Sequence, residues 1–112
     1  MAQVNLSDYK TLYIQTAKEY VNSMFLSCDK LTINVSDKEA LNNLHISSHS
    51  LKSQSQVMGY NDIAQLSKSL EEISNNALLG NNPLTDNIMV DIKKSIKKLQ
   101  EILKRVQDDT GK

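Results

Sequence analysis

The chain has 112 residues, with 13 basic and 13 acidic side chains, one cysteine, one proline, three glycines and no tryptophan. That length is most simply one domain with a real core, too short for a multidomain enzyme. Balanced charge and scarce aromatic residues leave no footprint for a nucleic-acid backbone, for base stacking or for an anionic membrane surface.

The first helix is predicted over about 7–31. Ser7 is placed as its N-cap, and Asp8 puts a favourable charge in its first turn. Tyr9, Leu12, Tyr13, Thr16, Ala17, Tyr20, Met24, Cys28 and Leu31 recur at three- and four-residue steps along one face. "TINVS", rich in β-branched residues, then interrupts the pattern. A second helix is predicted over 37–58. "SDKE" reads as a capping box in which Ser36 accepts from a first-turn amide and Glu39 reaches back. Leu41, Leu44, Ser48, Leu51, Ser55 and Met58 face inward, and Gly59 stands where a helix C-cap wants positive φ. The two inward serines permit close packing and can bond back to the preceding turn.

A third helix is predicted over 61–79, capped by Asn61, with Ile63, Leu66, Leu70, Ile73 and Ala77 inward. "GNNPLT" is a loop with Pro83 as a stop. The fourth helix is predicted over 85–108, on a stripe of Ile88, Ile92, Ser95, Leu99, Ile102 and Val106, with the terminal "DDTGK" frayed or opening a linker. No strand-like alternation competes. The expected fold is therefore all-α, an antiparallel four-helix bundle with an exposed histidine midway along helix two. The alternative is that some stripes are completed only in a dimer.

Cys28 cannot form an internal disulfide, which fits a reducing compartment. There is no run of ~18 apolar residues and no signal-peptide profile in "MAQVNLSDYK". A soluble, cytoplasmic, monomeric domain that binds neither membrane nor nucleic acid is expected.

His45, His49, Lys52, Ser53 and Gln56 share one face of the second helix, offset from its apolar seam. A neutral imidazole is a nucleophile near pH 7, and a lysine one turn away can pair with an incoming phosphoryl group. From spacing alone the face is a candidate nucleophile, a ligand set or ordinary solvated surface. The His45/His49 pair could also chelate a metal, but no third ligand stands at a matching place and "HExxH" is absent.

"HSLKSQSQVMGY", residues 49–60, resembles the phosphoacceptor signature of histidine-phosphotransfer (HPt) domains. That signature is His-x-Leu-Lys-Gly followed by a glycine ten positions after the histidine. His49, Leu51, Lys52 and Gly59 match, and Tyr60 takes the aromatic place after the glycine. The likeness runs through "NNLHISSHSLK" and "DIAQLSKSLEEIS", about half the chain, and is closest to the N-terminal phosphotransfer domain of chemotaxis-type histidine kinases. It implies a four-helix bundle in which His49 accepts a phosphoryl group. Glu71, twenty-two positions on, would orient the imidazole, and Lys52 would neutralise charge on the transferred group. His45 would contact the phosphoryl group or the partner, with Ser53, Gln56 and Lys68 on the docking rim. The implied partners are a histidine-kinase catalytic domain and a response-regulator receiver domain. They would hold the ATP and Mg²⁺, and the chain itself carries no cofactor and no metal. Ser53 departs from the pattern, which has glycine there for clearance of the partner. A bundle that only docks, without accepting phosphate, is the other reading.

Overall fold

A computed structural model of the chain describes the backbone of residues 6–110 and the side chains of residues 8–109. Four helices follow in order: α1 Leu6–Ile33, α2 Lys38–Met58, α3 Asn61–Leu78 and α4 Asp86–Thr110. Among the described residues there is no strand, as the period of the apolar positions predicts. The short connections reverse the chain at each turn, and each helix packs beside its predecessor. Helix α4 closes the ring against α1, leaving α2 diagonal to α4 and α1 diagonal to α3.

The helix ends follow the backbone's need to satisfy its terminal amides and carbonyls. Leu6 is already helical, so Ser7 lies inside α1 and not at its cap; the Ser7 side chain is outside the described residues. The cap of α2 is Asp37, not Ser36. Asn34 engages the preceding segment first, accepting the Ser36 N–H on Oδ1 and the Asp37 N–H on its carbonyl. The helix therefore starts one residue later. Asp37 is extended (φ −65°, ψ 103°), and its carboxylate accepts the Ala40 N–H.

At the other end of α2, Gly59 sits at φ 80°. Its N–H donates to the Gln56 carbonyl, and the Tyr60 N–H reaches back to the Ser55 carbonyl at 2.9 Å. This is a Schellman closure, and the left-handed backbone is the reason for glycine there. Tyr60 then precedes α3 directly, so Asn61 is the first residue of that helix and not its cap. Gly80 (φ 77°) closes α3 in the same way, with Asn81 donating to the Asn76 carbonyl. Thr85 Oγ1 accepts the Ile88 N–H and caps α4. That helix continues through Asp108 and Asp109 to Thr110, where fraying was expected, and Gly111 and Lys112 lie outside the described residues.

The buried residues agree best with expectation on α2, where Leu41, Leu44, Ser48, Leu51 and Ser55 all face in. On α1 the stripe is rotated. Ile14 and Val21 are buried with Tyr13, Ala17, Met24, Cys28 and Leu31, while Tyr9 and Leu12 are 51% and 61% exposed. On α3, Ile63 and Leu70 face in as expected, joined by Ala64, Ser67 and Ser74, with Leu66, Ile73 and Ala77 half-buried. On α4 the buried row is Met89, Ile92, Ile96, Leu99 and Leu103, with Ile88, Ile102 and Val106 half-buried. Both α1 and α4 carry apolar arcs wider than one seam, and the neighbouring helix selects which part is covered. Tyr13 ties α1 to the α2–α3 turn: its hydroxyl is 2.7 Å from Ser55 Oγ, and its ring stacks on Tyr60 at 5.2 Å. Burial outweighs the Ser55 hydrogen bond and pushes the Tyr13 phenol up to about 12.

Candidate functional site

Helix α2 presents His49 outward from its middle, with the side chain 58% exposed. The ring is not free to turn. Its Nδ1 hydrogen-bonds Glu71 Oε2 on α3. The other carboxylate oxygen, Oε1, accepts from Lys52 Nζ at 2.6 Å. Glu71 thus bridges two α2 side chains one turn apart, and all three sit where α2 and α3 pack along their length.

The electrostatics favour an ionised bridge. Burial leaves the Glu71 side chain only 14% exposed and by itself would push the carboxyl up. Hydrogen bonds from Lys52 and His49, with the charge of Lys52 and that of the His49 ring when it is protonated, outweigh it and hold the carboxyl below the ordinary glutamate value of 4.5. An ionised Glu71 accepts from Nδ1–H, which leaves the lone pair on Nε2, the nitrogen that points to solvent.

The remaining candidates fall on two sides of His49. His45, one turn earlier and half-buried, stacks its ring near-parallel to that of His49, with centroids 6.4 Å apart and planes at 17°. Gln56 is exposed farther along the same face, and Lys68 is exposed on α3 one turn before Glu71. Ser53 turns toward α1. It lines an open apolar groove of about 300 Å³ with Tyr9, Leu12, Gln54 and Val57.

Two features were not legible beforehand. Lys52, to which the resemblance gives the charge of the transferred group, also donates one of its three N–H bonds to Glu71 and is 21% exposed. The i, i+3 spacing places it near His49 but does not say which anion claims it. The groove was hidden because Tyr9 and Leu12 fit the helical period of a core stripe. Among the described residues, no group of three or more His, Cys, Asp or Glu is placed to hold a metal ion, and no helix is long and apolar enough to cross a membrane.

The family model of the Hpt domain matches residues 8–109. The chain belongs to the Hpt domain family and functions in histidine phosphotransfer within a phosphorelay. Its fold is similar to that of the "CheA phosphotransferase domain from Thermotoga maritima", with a TM-score of 0.86 at 21% identity, over 92% of this chain and 98% of that one. No curated protein sequence matches the chain.

Proposed function

We propose that His49 is the phosphoacceptor and that Glu71 and Lys52 form the machinery that prepares it. The observation that carries this reading is the Nδ1–Glu71 hydrogen bond on a histidine exposed at its other edge. The Nε2 lone pair attacks phosphorus and forms the N–P bond. The bond from phosphorus to the donor oxygen, of ATP or of a receiver phospho-aspartate, breaks and its electron pair leaves with that oxygen. Because the proton already sits on Nδ1, none has to depart from the attacking nitrogen. The phosphorylated ring carries positive charge, and the Glu71 carboxylate opposite Nδ1 stabilises it. Lys52 keeps that carboxylate ionised and fixed in position.

The reverse transfer, to a receiver aspartate, uses the same arrangement with the imidazole as leaving group. ATP and Mg²⁺ belong to the partner domains, where metal ions neutralise the phosphates. His45, Gln56 and Lys68 form one rim of the docking surface, and Ser53 with the apolar groove beside it forms the other. Serine there adds one hydroxymethyl group to a surface the partner must approach, which lowers affinity without blocking access. We place the domain in the cytoplasm, acting as a monomer in transient complexes.

The decisive experiment incubates the chain with a kinase domain and ATP, or with a phosphorylated receiver. An acid-labile, base-stable phosphate is expected on the wild type and none on His49→Gln. Phosphate retained by His49→Gln overturns the assignment. A chain that binds these partners yet never takes up phosphate supports the docking-only reading instead.

A further inference from the structure

Lys52 spends one of its three N–H donors on Glu71, and a phosphoryl group carried outward on His49 Nε2 presents several oxygens that a further donor beside the ring can meet. His45 has the placement and the chemistry. Its Nδ1 is buried and has no hydrogen-bond partner. Neutral histidine intrinsically favours the proton on Nε2, the nitrogen farther from the backbone, and a buried Nδ1 without an acceptor to donate to gives no reason to reverse that preference. The stable tautomer therefore carries the proton on Nε2. That atom is not among the buried unpartnered ones and has no hydrogen-bond partner among the described residues, so it is open to solvent.

His45 and His49 are thus oriented alike, Nδ1 toward the bundle and Nε2 away from it, on near-parallel rings. Helical side chains lean toward the N-terminus, so His49 leans over the turn that His45 occupies. No hydrogen bond to another described residue holds the His45 ring, which lies 6.4 Å from its neighbour's, centroid to centroid.

We propose that His45 donates a hydrogen bond from Nε2–H to the phosphoryl group on His49, and so acts as the phosphate-contacting residue of this site. The inference rests on His49 being the acceptor, but it can be tested without any kinase or receiver. Phosphoramidate, a small phosphoryl donor, would be used to phosphorylate the isolated chain at accessible imidazole nitrogen. ¹⁵N NMR of the ring nitrogens and ³¹P NMR of the product then read the contact.

The unphosphorylated His45 is expected as the Nε2–H tautomer. On phosphorylation its Nε2 signal should shift and its ring proton should exchange more slowly with water. His45→Phe should move the ³¹P signal of phospho-His49. His45→Gln, which keeps an N–H donor at a similar reach, should restore it, and Lys68→Gln should leave it in place. An Nδ1–H tautomer at His45 overturns the proposal. So does a ³¹P signal that ignores His45→Phe and follows Lys68→Gln, which would make Lys68 the contact. Chemical labelling at His45, or at neither histidine, overturns both this inference and the role given to His49. Failure of every kinase and receiver to transfer phosphate, with the NMR pattern intact, removes only the relay reading of His49.

Discussion

The α2–α3 pair and the α4 side of the bundle bury different kinds of residue. Helices α2 and α3 bury Ser47, Ser48, Ser55, Ser67 and Ser74 beside their leucines and Ile63. Among its described side chains, helix α4 buries only Met89, Ile92, Ile96, Leu99 and Leu103. Small side chains let helix axes approach, since interaxial distance depends on the residues at the contact. The hydroxyls of Ser48 and Ser74 are satisfied on their own helices, by the Leu44 carbonyl at 2.7 Å and the Leu70 carbonyl at 2.8 Å. Ser48 and Ser74 thus let α2 and α3 come together without demanding partners across the gap, while Ser55 bonds Tyr13 on α1. That closeness lets a glutamate on α3 reach a histidine and a lysine on α2. The aliphatic row of α4 supplies cohesion and no chemistry.

This contrast can be broken from either side. Leu99→Ala, on the aliphatic side, should cost the most, about 2–5 kcal/mol in denaturant unfolding. The molecules that stay folded should keep the NMR signature of the His49–Glu71 hydrogen bond. A lost signature at full folding would show that the two regions are not separable.

Ser48→Leu should cost less, about 1–3 kcal/mol from overpacking. It should nevertheless do more damage to the site, because forcing α2 from α3 draws Glu71 off His49. Phosphate uptake measured per folded molecule should therefore fall in Ser48→Leu and hold in Leu99→Ala.

A smaller effect is expected from acid. Because the folded Glu71 carboxyl lies below its ordinary value of 4.5, its contribution to stability is present above that pH. It is lost as pH falls through the lower, folded value. Wild type and Glu71→Gln should differ in melting temperature near neutrality and converge in acid; a gap that widens in acid would reverse the sign argued here. The smallest change should come at Ser67, whose buried hydroxyl has no partner. Ser67→Ala should be neutral or stabilising by up to about 1 kcal/mol in the same unfolding assay, since it removes an unpaired polar atom.

Much of this was legible in sequence, and the parts that were not share a cause. The period of apolar residues and the glycine after α2 each depend on one helix or one short turn, where local geometry decides. The pairing of Glu71 with His49, by contrast, spans two helices and came from the family resemblance. The shift of the α2 cap from Ser36 to Asp37 came from Asn34, a residue outside the capping pattern. The rotated stripes of α1 and α4 depend on which neighbour covers each arc, which periodicity does not encode. Lys52 is the same problem at the scale of one side chain, since its two possible anions lie on different molecules. For Ser53 the motif marked the position, but only the packing showed that it opens toward α1.

The closure at Gly59 and Tyr60 has a metric consequence. His49 lies ten residues before Gly59 (59 − 49), and Glu71 lies ten residues after Asn61 (71 − 61). At a rise of about 1.5 Å per residue, the chain descends about 15 Å from the histidine and climbs the same height to the glutamate. The turn works as the pivot of a pair of calipers, with its legs cut to equal length and its tips resting on the imidazole and the carboxylate. One residue added to either leg would move a tip along the axis by about 1.5 Å and around the helix by about 100°. That rotation would turn the carboxylate away from the ring.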